Sequence, residues 1–170
     1  MKFLYALLTI VWLSYGWACF QSMRWEPPRP APRYYARYLQ QSTDEVIDRD
    51  INERRLVLSA DNLSLRDRSR ERYQLSFLYL LKAFHQSNHS SQQAFFDKAL
   101  EEALAALKPF PDDWPSFWMR AAEIYGLKDD WDNADEYYRQ ALEIAIKKDP
   151  SMVKYVVDSQ QRARGSRPPS

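Results

Sequence analysis

A chain of 170 residues, 45% of them apolar, can fill one hydrophobic core but not two comfortable ones. Its 24 basic side chains are matched by 23 acidic ones, so no overall field draws it to nucleic acid, and a nucleic-acid partner is not expected. The 3 glycines and the single cysteine, Cys19, argue against a meander of short strands and a glycine-rich phosphate loop, and rule out an internal disulfide.

The first element is the uncharged run FLYALLTIVWLSYGWACF over residues 3–20, preceded by Lys2. Its length lies between a signal-peptide core and a membrane-spanning helix, which needs about 20 residues. Either way the segment brings the chain to a membrane. Gly16 and Ala18 put small side chains where a signal peptidase reads, so cleavage before Cys19 fits. A cysteine there resembles a bacterial lipoprotein acylation site, although Gly16 stands where leucine is usual, and this makes Cys19 a lipidation candidate. The alternative is an uncleaved anchor. Arg24, Arg29, Arg33 and Arg37 follow the segment, offset only by Glu26, and the positive-inside rule holds such a cluster in the cytoplasm. The cleavage pattern therefore favours export and the charge pattern opposes it.

Residues 21–41 read as a Pro/Arg-rich spacer. Within it Pro27-Pro28-Arg29-Pro30-Ala31-Pro32 is expected to be extended and semi-rigid, holding a folded domain off the bilayer. Ser42-Thr43-Asp44-Glu45 reads as a capping box opening a helix to about residue 58, with Ile47, Ile51 and Leu58 on one side. Four helices with apolar stripes follow, over about 66–85, 92–108, 114–127 and 131–148. The breaks between them fall at a polar loop over 87–91, at Pro109 and Pro111, and at a short turn over 128–130. Pro150 stops the fourth, a last helix is expected over 151–162, and the tail 164–170 is expected to lack structure. The domain proper is thus 42–163.

Periodicity within this domain is clearest over 115–150. Trp118, Ala121, Ala122 and Tyr125 fall on one helix, and Ala134, Tyr138 and Ala141 on the next. This spacing resembles the tetratricopeptide repeat, whose pattern is W-x2-L-G-x2-Y, then A-x3-F, then P. Ala121 replaces leucine, Ala122 replaces glycine, Tyr138 replaces phenylalanine, and Pro150 comes about one turn late. Residues 66–109 resemble a degenerate unit of the same kind. The resemblance implies an all-α fold of antiparallel helix pairs, a short α-solenoid following the apolar membrane segment. Alanines would let helix backbones approach while the aromatic side chains fill the space around the crossing.

No arrangement of side chains suggests catalysis, a metal or a cofactor, and no small-molecule substrate is expected. His85 and His89 are four apart but fall at a helix end and in a Ser/Asn loop with no third ligand near. Asp129, Asp130 and Asp132 read as a solvated turn, and the run over 66–72 as the exposed start of a helix with its charges half balanced. What the repeat resemblance implies is protein binding in a concave groove, lined by Ser116, Met119, Glu123 and Leu127. The expected function is a membrane-tethered adaptor or scaffold in a bacterial envelope, the periplasmic side being preferred to the cytoplasmic. The alternative is a permanent accessory subunit of a larger membrane complex.

Overall fold

The computed structural model describes residues 27–165. The apolar segment 3–20, Cys19, the start of the spacer and the end of the tail lie outside the described residues. Among those described, no helix is long and apolar enough to cross a membrane.

The fold is all-helical, with seven α-helices among the described residues: α1 (Ala36–Gln41), α2 (Asp44–Leu58), α3 (Leu65–Phe84), α4 (His89–Leu107), α5 (Pro115–Leu127), α6 (Trp131–Lys148) and α7 (Val153–Gly165). A 3-10 turn, Arg33–Tyr35, leads into α1, and a second, Pro150–Met152, leads into α7. Local chemistry sets most of the starts. Side chains of Thr43, Ser64, Asn88 and Asp130 accept from the free N–H groups of Val46, Asp67, Ser91 and Asn133 respectively. The cap of α2 is therefore Thr43, one residue later than the expected Ser42, which leaves Val46 and not Glu45 at the third helical position. Helix α5 opens on Pro115, whose missing N–H costs nothing there. Helix α4 starts earlier than expected, so that His89 is its first residue instead of a loop residue.

From α2 onward successive helices run antiparallel, and ion pairs record the pairing. On α2 and α3, Lys82 Nζ lies 2.7 Å from both Asp44 and Asp48, and Arg54 lies 2.5 Å from Glu71. Between α3 and α4, Arg72 meets Glu102 at 2.7 Å. Lys128, just after α5, pairs with Asp97 on α4. Lys148 at the end of α6 reaches Asp113, just before α5, at 3.2 Å, and Arg164 of α7 reaches Asp135 of α6 at 2.8 Å. Most of these pairs are partly exposed, so they fix register more than they stabilise.

Stability comes from the apolar faces. One core cluster joins Ile47 and Ile51 of α2, Leu75, Leu80 and Leu81 of α3, Phe96, Ala99 and Ala103 of α4, and Ala121 and Ile124 of α5. A second joins α5, α6 and α7 through Met119, Ala122, Tyr138, Ala141, Ala145 and Val156. Ala121 is buried in the first cluster with Ala99 and Ala103, and Ala122 in the second with Ala141 and Ala145, so α5 meets small residues of both neighbours; Ala134 is buried as well. On the same helix Gly126 is buried under the Trp131 ring. A Cβ there would stand 3.3 Å from the indole.

The Pro/Arg-rich segment differs from its expectation. Residues 27–35 do not project as a spacer but lie back against the helical domain, ending in Tyr35, which is only 2% exposed. The Tyr35 ring stacks on Phe77 at 5.9 Å and tilts against Phe84 at 5.1 Å, inside the main core. An aromatic side chain carries enough apolar surface to pull a proline-stiffened segment down, and Ala31 packs beneath it.

The close approach of α5 and α6 yields a direct expectation. Enlarging a side chain at the crossing, Ala122→Leu, lowers unfolding stability by about 1–3 kcal/mol in urea denaturation, whereas Ala36→Leu on the exposed side of α1 changes it by less than about 0.5 kcal/mol.

Candidate functional site

Helix α5 carries only two charged residues, Arg120 and Glu123, which its period places one turn apart on a single face. That face looks toward α3, α7 and the turn before α1. The Arg120 side chain is 13% exposed and is held from several directions. Its Nη1 donates to the Tyr35 hydroxyl at 3.0 Å and to Glu123 Oε2 at 3.1 Å, and its Nη2 reaches the Tyr73 hydroxyl at 3.5 Å. The guanidinium carbon stands over the rings of Tyr73 and Phe77 at 5.2 and 5.0 Å. Tyr73 is itself stacked on Phe117 at 4.7 Å. Burial works against the Arg120 charge, but Tyr35, Glu123 and Tyr73 outweigh it and hold its pKa above the ordinary arginine value.

Above this floor lies a cavity of about 340 Å³, lined by Ser116, Met119, Arg120 and Glu123 of α5 together with tyrosines and Arg162 of α7. Tyr38 and Tyr155 stand exposed at its rim, and Tyr73 and Tyr138 form its inner wall. A second cavity, of about 440 Å³, lies alongside. The proline segment from Arg29 to Arg33 walls one side of it, and Glu123, Gly126, Leu127 and Trp131 wall the other. Glu123 and Arg162 line both. Of the residues expected to line a groove, Ser116, Met119 and Glu123 line the first cavity, and Glu123 and Leu127 the second.

The proline segment is docked by few but specific contacts. In 27–32 only Arg29 and Ala31 carry a backbone N–H, the other positions being proline. The Arg29 N–H donates to Gln92 Oε1 at 2.6 Å, and Gln92 Nε2 donates back to the Arg29 carbonyl at 2.9 Å. One side-chain amide thus satisfies both backbone groups of one extended residue, as a neighbouring strand would. Gln92, in the first turn of α4, is 0% exposed. The Arg29 side chain pairs with Asp129 in the α5–α6 turn. Asp129 is the left-handed residue of that turn, with φ 62°, and the following N–H of Asp130 closes on the Tyr125 carbonyl at 2.9 Å. Glycine is the usual occupant of such a position.

The packing residues named from the sequence meet at the α5–α6 junction. Ala121, Ala122, Ala134, Tyr138 and Ala141 are buried, and Trp118 and Tyr125 are half-buried with their rings each 5.0 Å from Tyr137. Trp118 Nε1 also donates to the Pro111 carbonyl at 2.6 Å. His85 caps the end of α3 and His89 opens α4, so they do not share a helix face. Sequence reasoning missed Arg120, Gln92 and Tyr35. The charged pair Arg120 and Glu123 inside a helix with no other charge is a signal that identifies the first, whereas Gln92 sits in a polar run that marks nothing.

No family model matches the chain, and neither the curated proteins nor the solved structures compared with it gave a match.

Two neighbouring tyrosines of α6 titrate late. Burial, and then neighbouring Tyr125, push the Tyr137 hydroxyl up to about 12, and burial with the nearby Glu123 charge raises Tyr138. Because the folded state favours the neutral phenol, this stability is complete below pH ~10 and is lost as pH rises through the folded values. Titration at 295 nm is therefore expected to show a delayed tyrosinate step at about pH 12 in the folded chain. The step should be absent in urea, reduced in Tyr137→Phe, and accompanied by falling stability above pH ~10.

Proposed function

We propose that this protein is a membrane-tethered scaffold of tetratricopeptide-repeat type, whose concave side binds an extended segment of another protein in a bacterial envelope. The observation that carries this reading is that an extended, proline-rich stretch of the chain already lies on the helical domain as one wall of the larger cavity, its backbone read by Gln92 and its charge matched by Asp129. A surface that holds such a segment from its own chain has the shape and polarity to hold one from a partner.

Three further features support it. Antiparallel helix pairs in series, with alanines at the α5–α6 crossing, are what the repeat requires. The positions that the repeat assigns to the concave side, Ser116, Met119, Glu123 and Leu127, line adjoining cavities and not the core alone. The rim tyrosines Tyr38 and Tyr155 offer amphipathic contact area of the kind that protein interfaces favour. In this reading the apolar segment 3–20 supplies the tether, by spanning the membrane or through lipid on Cys19.

A permanent accessory subunit is the second reading. Leu56, 74% exposed, stands with Val57 and Leu65 at the α2–α3 end, an uncovered apolar edge that a larger assembly would cover.

The two readings place the partner on different faces. A photo-crosslinking residue at Ser116 in the full-length chain is expected to give a discrete protein adduct in bacterial envelopes, with none from the same residue at Leu56. Adducts from Leu56 alone would overturn the groove reading in favour of the subunit.

A further inference from the structure

We infer that the groove is specific for an extended segment carrying a basic residue flanked by prolines, and that residues 27–33 are its built-in competitor. This rests on the reading of the groove as a protein-binding surface and names the chemistry of what it takes.

Gln92 carries the inference. A primary amide that is 0% exposed and unpaired would be costly, and the partner it has is the N–H and C=O of one extended residue. Any replacement for the strap must offer the same two backbone groups in the same extended form, which excludes a helix, whose interior backbone groups are already bonded. Proline on either side holds that residue extended and removes competing N–H groups. Asp129 adds the charge requirement. Its left-handed backbone is one that glycine adopts more easily, and its carboxylate meets the Arg29 guanidinium.

The same contacts show why the strap can leave. Between 27 and 33 no side chain is fully buried, and the strap borders a cavity of about 440 Å³ instead of filling it. Tyr35, by contrast, is seated in the core and marks where release stops. The occupant is a segment of another protein that replaces 27–33 while Tyr35 stays in place.

The test uses the full chain with Arg29→Glu, which sets like charges against each other at Asp129, and a fluorescein-labelled peptide of sequence PPRPAPRYY. The variant is expected to bind the peptide at least about tenfold more tightly than the unaltered chain, whose tethered strap competes at an effective concentration on the order of millimolar. A peptide with glutamate in place of its first arginine should bind at least about fivefold more weakly. Equal binding by the two chains, or by the two peptides, overturns the inference. If the variant takes proline-free extended peptides as tightly as PPRPAPRYY, the groove reading stands and the inference falls. If it binds no peptide, both fall. An unaltered chain that is a dimer, and that Arg29→Glu makes monomeric, places the strap of a second copy in the groove and also overturns it.

Should Arg29→Glu fail to fold, Asp129→Gly answers the same question, because it relieves the left-handed turn while removing the carboxylate. Trypsin cleavage after Arg33, which no proline follows, is then expected to quicken by about fivefold or more, with thermal stability kept. An unchanged rate overturns the latch.

Discussion

The arrangement of the helices around the groove depends on one buried cation. Arg120 is bonded to the turn before α1 through Tyr35, to α3 through Tyr73, and to its own helix through Glu123, while its flat face lies over Tyr73 and Phe77. A guanidinium can do this because it donates in its plane and stacks through its faces at once. A lysine offers a point charge with neither property. Enclosing a cation among rings is unfavourable unless its donors are met, and the carboxylate of Glu123 with the two phenols meets most of them. Only Nε stays enclosed without a hydrogen-bond partner. The segment before α1, α3 and α5, which also share the main core, are thereby tied together by directed polar contacts.

The position of the strap follows from that tie. Tyr35 gives the guanidinium its hydroxyl and the core its ring, so the chain just before it is held along the wall of the larger cavity. Gln92 and Asp129, from the start of α4 and the α5–α6 turn, then fix the proline segment at Arg29. Two kinds of docking result. Tyr35 is held by apolar burial, which is strong and unspecific, and Arg29 by directed polar contacts, which are weaker and selective. A segment with a firm end and a yielding end is what the proposed exchange of the strap for a partner segment requires.

Much of the helical framework was legible in the sequence. The period of apolar residues located α3 to α6, and Pro115 with the breaks near Pro109 and Pro150 set their limits to within a few residues. The alanines of α5 and α6 announced a close crossing, and they are buried. What was not legible depended on contacts distant in sequence. A run of prolines looks the same whether it projects into solvent or lies on a surface. The outcome was decided by Gln92, 63 residues from Arg29, and by aromatic side chains on α3 that receive Tyr35. Arg120 and Glu123 were visible as the two charges of their helix, but only Glu123 fell on a position that the repeat assigns to a groove. The cap of α2 moved from Ser42 to Thr43, an adjacent hydroxyl equally able to cap, which accepts from the Val46 N–H.

The central claim, that Gln92 holds the extended proline segment by its backbone, is tested most directly at the amide of Arg29. Its hydrogen exchange is measured by NMR on the uniformly labelled full-length chain. Docking on Gln92 predicts exchange slowed by at least about tenfold relative to the unstructured rate, lost in Gln92→Leu. Exchange at the unstructured rate, while the amides of α3 and α5 stay protected, would mean that the strap is not held and would contradict the account.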